Sequence, residues 1–247
     1  MGKYSLENDV IGKGATSTVY LAQNHKGEKV VIKKVKNLAE AEAEADLHKR
    51  LPLSEHIVSF IEFFPEGPIG NLVFEYHPGK ILGHFKKGKP RSQTLAVQIT
   101  LNILKGLKVA HESGILHCDL TPHNVLIDRD DPQTVKIIDF GSSVKANLSG
   151  VYKGSHKGAT KWYRPPELRK QGNRFTADLN YSSDLYSAAC ICLYLLTGVA
   201  PFRKSQACLK VINPGLQKVL RKAVDKDKKR RFQTAQELFD ALAPFGV

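Results

Sequence analysis

The periodicity of this chain changes partway along, and that change constrains the fold more than any single motif. Through about residue 75 the apolar residues come in short β-branched or aromatic runs. Val30-Val31-Ile32, Ile57–Phe64 and Asn71–Tyr76 read as strands. Gly12, Gly14 and His25-Lys26-Gly27 read as turns between them. One stretch breaks this pattern. Leu38–Leu51 is rich in Ala, Glu and Leu and predicts a helix, with Glu44, Leu47 and Leu51 along one stripe. From about residue 92 the spacing becomes helical, with Leu95, Ile99, Ile103, Leu104 and Leu107 marking Gln93–Glu112. Thr176–Leu196, Leu216–Val224 and Thr234–Leu242 follow as helices, the last opened by Thr234 and Glu237 in a capping-box pattern. Short β-like runs at Val125–Ile127 and Val135–Ile138 lie between the first two of these helices. The Gly- and Pro-bearing stretch Pro78–Pro90 divides a sheet-rich lobe, residues 1–77, from a mostly helical lobe, residues 78–247. The expected class is α+β.

Composition narrows the function classes. Hydrophobic residues at 42% and charged residues at 25% exclude a wholly disordered chain. The apolar run Leu185–Leu196 is interrupted by Tyr186 and Ser187 and reads as a core helix. MGKYSLENDV has no apolar leader, and Leu6 stands where a myristoylation signal wants Ser or Thr, so the expected location is cytoplasmic. Cys118, Cys190, Cys192 and Cys208 form no metal-binding spacing and read as free thiols.

Three places carry chemistry. Ile11-Gly12-Lys13-Gly14-Ala15-Thr16-Ser17-Thr18-Val19 is a glycine-bearing turn whose backbone N–H groups can approach phosphate oxygens, although an ordinary hairpin would look the same. Lys33 ends the strand Val30-Val31-Ile32 and would need a carboxylate to keep its charge if buried; Glu44 faces the right way. Asp119 and Asn124 lie in a loop before a β-run, and Asp139 closes the next β-run. A carboxylate base with an Asp and an Asn for a divalent metal on a triphosphate is the set that phosphoryl transfer requires.

Taken in order, these features resemble the protein kinase family, and are similar to its bacterial members of eukaryotic type. The matches are the Gly-rich turn, Val-Val-Ile-Lys33, the helix Glu44, His117-Cys-Asp119, Asp139-Phe-Gly141 and Thr160-Lys-Trp-Tyr-Arg-Pro-Pro-Glu167. Asp184-Leu-Tyr-Ser and Arg231, the expected partner of Glu167, follow. The resemblance implies a bilobal kinase fold with the active site between the lobes, and an ATP-dependent Ser/Thr kinase acting on protein hydroxyls, its own included. It implies that Lys33 holds the phosphates, that Asp119 takes the acceptor proton, and that Asn124 and Asp139 bind Mg²⁺, with Mn²⁺ as the alternative. Phe74 would back the adenine, Glu75 and His77 would offer it backbone groups, and Val19, Val31 and Leu126 would wall it.

Two residues depart from the family pattern. Cys118 stands where many members have an Arg that meets a loop phosphate, which predicts activity independent of such a phosphate. Thr121 replaces a Lys near the γ-phosphate, with His123 or an activation-segment lysine as possible substitutes. Thr121 and Ser17, the latter at the third glycine of the loop, are what a nucleotide-binding pseudokinase scaffold would carry. A small-molecule kinase of similar fold is another alternative. The net charge is +13, from 37 Lys+Arg and 24 Asp+Glu. Lys145, Lys153, Lys157 and Lys161 lie in a stretch without acids, and Lys86, Lys87 and Lys89 form a second group. Such faces are ordinarily solvated; the sharper expectation is an anionic partner, an acidic protein or an activating nucleic acid.

Overall fold

The computed structural model describes residues 3–84, 88–157, 159–171, 174–200 and 212–247. Lys86, Lys87 and Cys208 lie outside the described residues. The chain divides into two compact units, Met1–Pro78 and Gly79–Val247.

In the first unit the β-rich runs become strands β1 (Tyr4–Lys13), β2 (Ser17–Asn24), β3 (Lys29–Val35), β4 (Phe60–Glu66) and β5 (Ile69–Glu75). They form one antiparallel sheet in the order β1-β2-β3-β5-β4. On one face Ala22, Val30, Ile32 and Val73 make an apolar cluster covered by Tyr4 and Phe64. The sheet curls enough for its two edges to meet: the Tyr4 ring stacks on Phe64 at 6.1 Å and the Tyr4 hydroxyl bonds Glu62. Gly12 belongs to β1, so the turn begins only at Gly14, whose N–H donates to the Ser17 carbonyl at 2.9 Å. The strand expected from Ile57 starts at Phe60, because Ile57 and Val58 are buried in the connection from the helix.

Helix α1 (Leu38–His48) opens on Asn37, whose side-chain oxygen accepts from Glu40 N at 3.1 Å. Its buried stripe is Ala41, Glu44, Ala45 and His48, so the expected Leu47 and Leu51 positions are only half-buried. Small residues suit this stripe. A Cβ at Gly70 on β5 would lie 2.1 Å from the Ala41 Cβ, so the helix approaches the strand at a distance that only glycine permits.

In the second unit α2 (Gln93–Glu112) spans the predicted limits, with Ser92 as its N-cap. It packs against α3 (Tyr181–Thr197) and α5 (Ala235–Leu242), and α4 (Pro214–Ala223) packs on α3 and α5. Thr234 caps α5 by accepting from Glu237 N at 3.1 Å, while the Glu237 carboxylate turns back to Gln233 N at 2.9 Å. The helix expected from Thr176 begins at Tyr181. Residues 176–179 alternate exposed and buried, a period of two, and belong to a strand instead. That strand, β13 (Arg174–Asn180), is the centre of a sheet with β11 (Val151–His156) and β12 (Leu168–Gln171), in the order β11-β13-β12. Two smaller sheets frame the loop that carries Asp119: β6 (Lys80–Ile81), β8 (Val125–Asp128) and β9 (Asp131–Ile137), and the pair β7 (Ile115–Leu116) with β10 (Val144–Lys145). Cys118, Cys190 and Cys192 are free and buried, and burial pushes the Cys190 and Cys192 thiols up to about 12.

Candidate active site

In the first unit, strand register decides which predicted residues share a face. Val19 lies opposite Lys33, Lys33 opposite Leu72, and Val31 opposite Phe74, so these side chains project from one side of the sheet. Glu44 reaches that side from α1. Both its oxygens take the Lys33 ammonium, at 2.7 and 2.8 Å, and the pair is buried. Phe74 packs edge-on to His48 at 4.9 Å and to Phe60 at 5.7 Å. The Glu75 N–H is committed to the Ser59 carbonyl at 3.0 Å, which removes it as a donor to a ligand. Lys13 and Thr18 pair across the hairpin, Ile11 is half exposed before it, and Ala15 and Thr16 form its tip with Gly14. Thr16 O accepts from Lys36 N at 3.0 Å, which ties the tip to the end of β3.

In the second unit the loop 117–124 brings Asp119, Asn124 and Asp139 together through short bonds. The Asn124 amide donates to the Asp119 carbonyl at 2.8 Å, and the Asn124 carbonyl accepts from Ile138 N, beside Asp139, at 3.0 Å. Asp139 has φ 65, and its carboxylate accepts from Gly141 N at 3.1 Å. Positive φ at a non-glycine residue costs on the order of 1–3 kcal/mol and persists where the surroundings enforce it. Phe140 is fully buried with its ring 4.9 Å from that of His117. Leu126 lies on β8, half-buried, and His77 follows β5 in the first unit.

Asp119 is the centre of this group. One of its carboxylate oxygens accepts from Thr160 N at 2.7 Å, and the Thr160 hydroxyl also bonds it. Burial holds the Asp119 carboxyl above its ordinary range, against the Thr160 bonds and the His117 ring, and the Asp139 charge adds to the rise. Two carboxylates near enough to repel, with an amide oxygen carrier fixed beside them, fit a hard divalent cation that keeps waters and phosphate oxygens as its other ligands.

The loop is anchored by a residue at the start of α3. The Asp184 carboxylate accepts from His117 N at 2.8 Å, Cys118 N at 2.9 Å and His111 Nε2 at 2.9 Å. Burial alone would raise its carboxyl, but these donors hold it below the ordinary range. They also fix Cys118 at φ 67. The Cys118 side chain turns into an apolar cluster with Leu116, Ala146, Leu168, Ala177 and Leu179. Arg231 meets both Glu167 oxygens at 2.8 Å. Thr121 is buried and accepts from His123 N at 3.1 Å, and the His123 ring packs on His84 at 5.0 Å. Sequence reasoning missed His111 and the Thr160–Asp119 bond. His111 shows in the sequence only as one polar residue on the apolar stripe of α2, and the Thr160 contact spans 41 positions.

A lysine clamped by a helix carboxylate, and an Asp-Asn-Asp group on a braced loop, define a class of phosphoryl-transfer protein. The family described as the protein kinase domain matches residues 5–243, and the chain belongs to it. Members of this family generally use ATP and Mg²⁺. The chain is similar to a probable serine/threonine-protein kinase of Clostridium perfringens, 28% identical over 262 residues, covering 94% of this chain and 37% of that protein. It is also similar to the sporulation protein kinase mde3 of Schizosaccharomyces pombe, 30% identical over 241 residues, covering 85% of this chain and 41% of that one. A probable serine/threonine-protein kinase of Caenorhabditis briggsae, zyg-1, is 31% identical over 231 residues, covering 90% and 32%. The chain thus spans about two fifths or less of the length of these relatives. Among the described residues no helix is long and apolar enough to cross a membrane.

Proposed function

We propose that this chain is an ATP-dependent Ser/Thr protein kinase whose nucleotide-handling residues are Lys33 with Glu44, and Asp119 with Asn124 and Asp139. The observation that carries the reading is the Asp119 group: a half-buried carboxylate with a hydroxyl already bonded to it, beside a second carboxylate and a fixed amide. Asp119 orients an acceptor hydroxyl and takes its proton as the oxygen bonds to the γ-phosphorus; the bond from that phosphorus to the bridging oxygen breaks and ADP leaves. Lys33, kept charged by Glu44, holds phosphate oxygens in place. Asn124 and Asp139 would hold Mg²⁺, which when bound supplies positive charge to the triphosphate oxygens. Acceptor hydroxyls include those of the chain itself. Free buried thiols at Cys118, Cys190 and Cys192 suit a reducing, cytoplasmic setting.

A second reading, a nucleotide-binding scaffold, draws on Thr121: its burial and its bond to His123 N leave that position without the cation the family usually places there. Incubation with labelled ATP and Mg²⁺ separates the two. Self-labelling or labelling of a generic acceptor, lost in Asp119→Asn and Lys33→Ala, is expected of the kinase. Nucleotide binding without label in the unaltered protein would leave the scaffold.

A further inference from the structure

From Gly141 to Pro166 the chain carries Lys145, Lys153, Lys157, Lys161 and Arg164 and not one acidic residue. The structure gives this run a form. Among the described residues β11 is the outer strand of its sheet, paired on one side only, with β13. Val151 exchanges bonds with Asn147 on the other side: Val151 N donates to the Asn147 side chain at 3.0 Å, and Asn147 N donates to Val151 O at 2.9 Å. Alternate residues of an antiparallel strand turn their backbone groups the same way. Lys153 and Ser155 therefore point N–H and C=O to that same outer edge, where Ser155 O takes the Tyr152 hydroxyl at 2.6 Å. Lys153, Gly154 and Ser155 are exposed. Asp178 is shared, pairing with Lys228 at 3.0 Å and at a longer 3.8 Å with Lys153, and Glu167 is held by Arg231. Past His156 the chain runs to Thr160, on Asp119.

We infer that the outer edge of β11 docks an acidic peptide, so that the substrates of this kinase carry Asp or Glu beside the acceptor residue; the inference rests on the kinase reading above. Past the Asn147 and Tyr152 bonds, this edge offers an added peptide strand the Lys153 N–H and C=O and the Ser155 N–H, and the lysines around it supply charge complementarity. Nucleic acid fits this edge less well, since phosphates cannot donate hydrogen bonds to its carbonyls. β11 runs toward Asp119, and an antiparallel partner would run away from it. The acidic residues thus fall on the C-terminal side of the acceptor.

The test compares serine peptides with acidic, neutral or basic residues C-terminal to the acceptor, and one with the acids N-terminal. The C-terminally acidic peptide should exceed the neutral one in kcat/KM by about tenfold, a preference weakened by salt. In Lys153→Glu/Lys157→Glu the ratio should fall to about one. In Lys218→Glu/Arg221→Glu/Lys222→Glu, which reverses an exposed basic face of α4, it should persist. Equal rates for all four peptides would overturn the inference and leave the kinase reading intact. So would equal loss of preference in both variants, which would mean bulk charge, or duplex DNA altering the rate through Lys153 and Lys157 while peptide acidity did not. Peptide binding followed by fluorescence anisotropy gives the same comparison without turnover: binding independent of acidity would sink the docking site even if no peptide were phosphorylated.

Discussion

Replacing Cys118 by Arg places a guanidinium where the structure has built an apolar contact. The Cys118 side chain is 5% exposed and packs with Leu116, Ala146, Leu168, Ala177 and Leu179, with Val144, Tyr152, Ala159, Phe175 and Tyr181 against that cluster. Five of these residues come from β11, β12 and β13, so the cluster fastens that sheet to the loop of Asp119 by apolar burial. An Arg side chain cannot lose its proton to escape. Asp184, the nearest carboxylate, already receives three donors. An uncompensated buried charge costs on the order of 3–5 kcal/mol. Against a domain stability of about 5–15 kcal/mol, that is a large fraction. Cys118→Ala, which removes one sulfur and keeps the site apolar, should cost on the order of 1 kcal/mol. The assay is urea denaturation of both variants beside kinase activity of unphosphorylated protein, with Ser149→Ala and Ser155→Ala in parallel. Expected are a lowered midpoint and lost activity in Cys118→Arg, near-native behaviour in Cys118→Ala, and activity retained in the two serine variants. A stable Cys118→Arg protein, or unaltered protein inactive until its loop is phosphorylated, would refute the apolar fastening.

Glu44→Gln leaves the Lys33 ammonium buried without its charge partner, which should cost about 3–5 kcal/mol in stability and lower kcat/KM; a double-mutant cycle with Lys33→Met should recover much of the stability loss, and simple additivity would show that the pair is not coupled. Thr160→Ala removes a hydroxyl bond that favours ionised Asp119, so the acid limb of kcat/KM, set above the ordinary carboxylate value of about 3.9, should move further up in pH; an unmoved or lowered limb would show that Asp119 is not the titrating group.

Much of this was legible in the sequence where local spacing carried the signal. Gln93–Glu112 declares itself by its apolar period, and Asp119, Asn124 and Asp139 by their places beside short β-runs, whereas Lys33, expected at a strand end, lies inside β3 because the strand continues to Val35. What escaped was decided by long-range pairing. Residues 176–180 have no strong local preference, and only their pairing with β11 and β12 makes them strand. The stripe of α1 was misplaced because Leu47 and Leu51 outrank alanine in hydrophobicity, whereas a helix lying close against β5 needs its smallest residues inward. His111 and Thr160 acquire partners 73 and 41 positions away, and no window along the chain contains both ends of such a bond.

The seat of α1 has a consequence of its own. With Gly70 and Ala41 already at the closest approach their atoms allow, the helix rests on the strand as against a mechanical stop. It has no slack toward the sheet and can move only outward, and any outward swing draws Glu44 from Lys33. Bulk added at either small residue would therefore work as a wedge, parting the clamp with both of its charged groups intact.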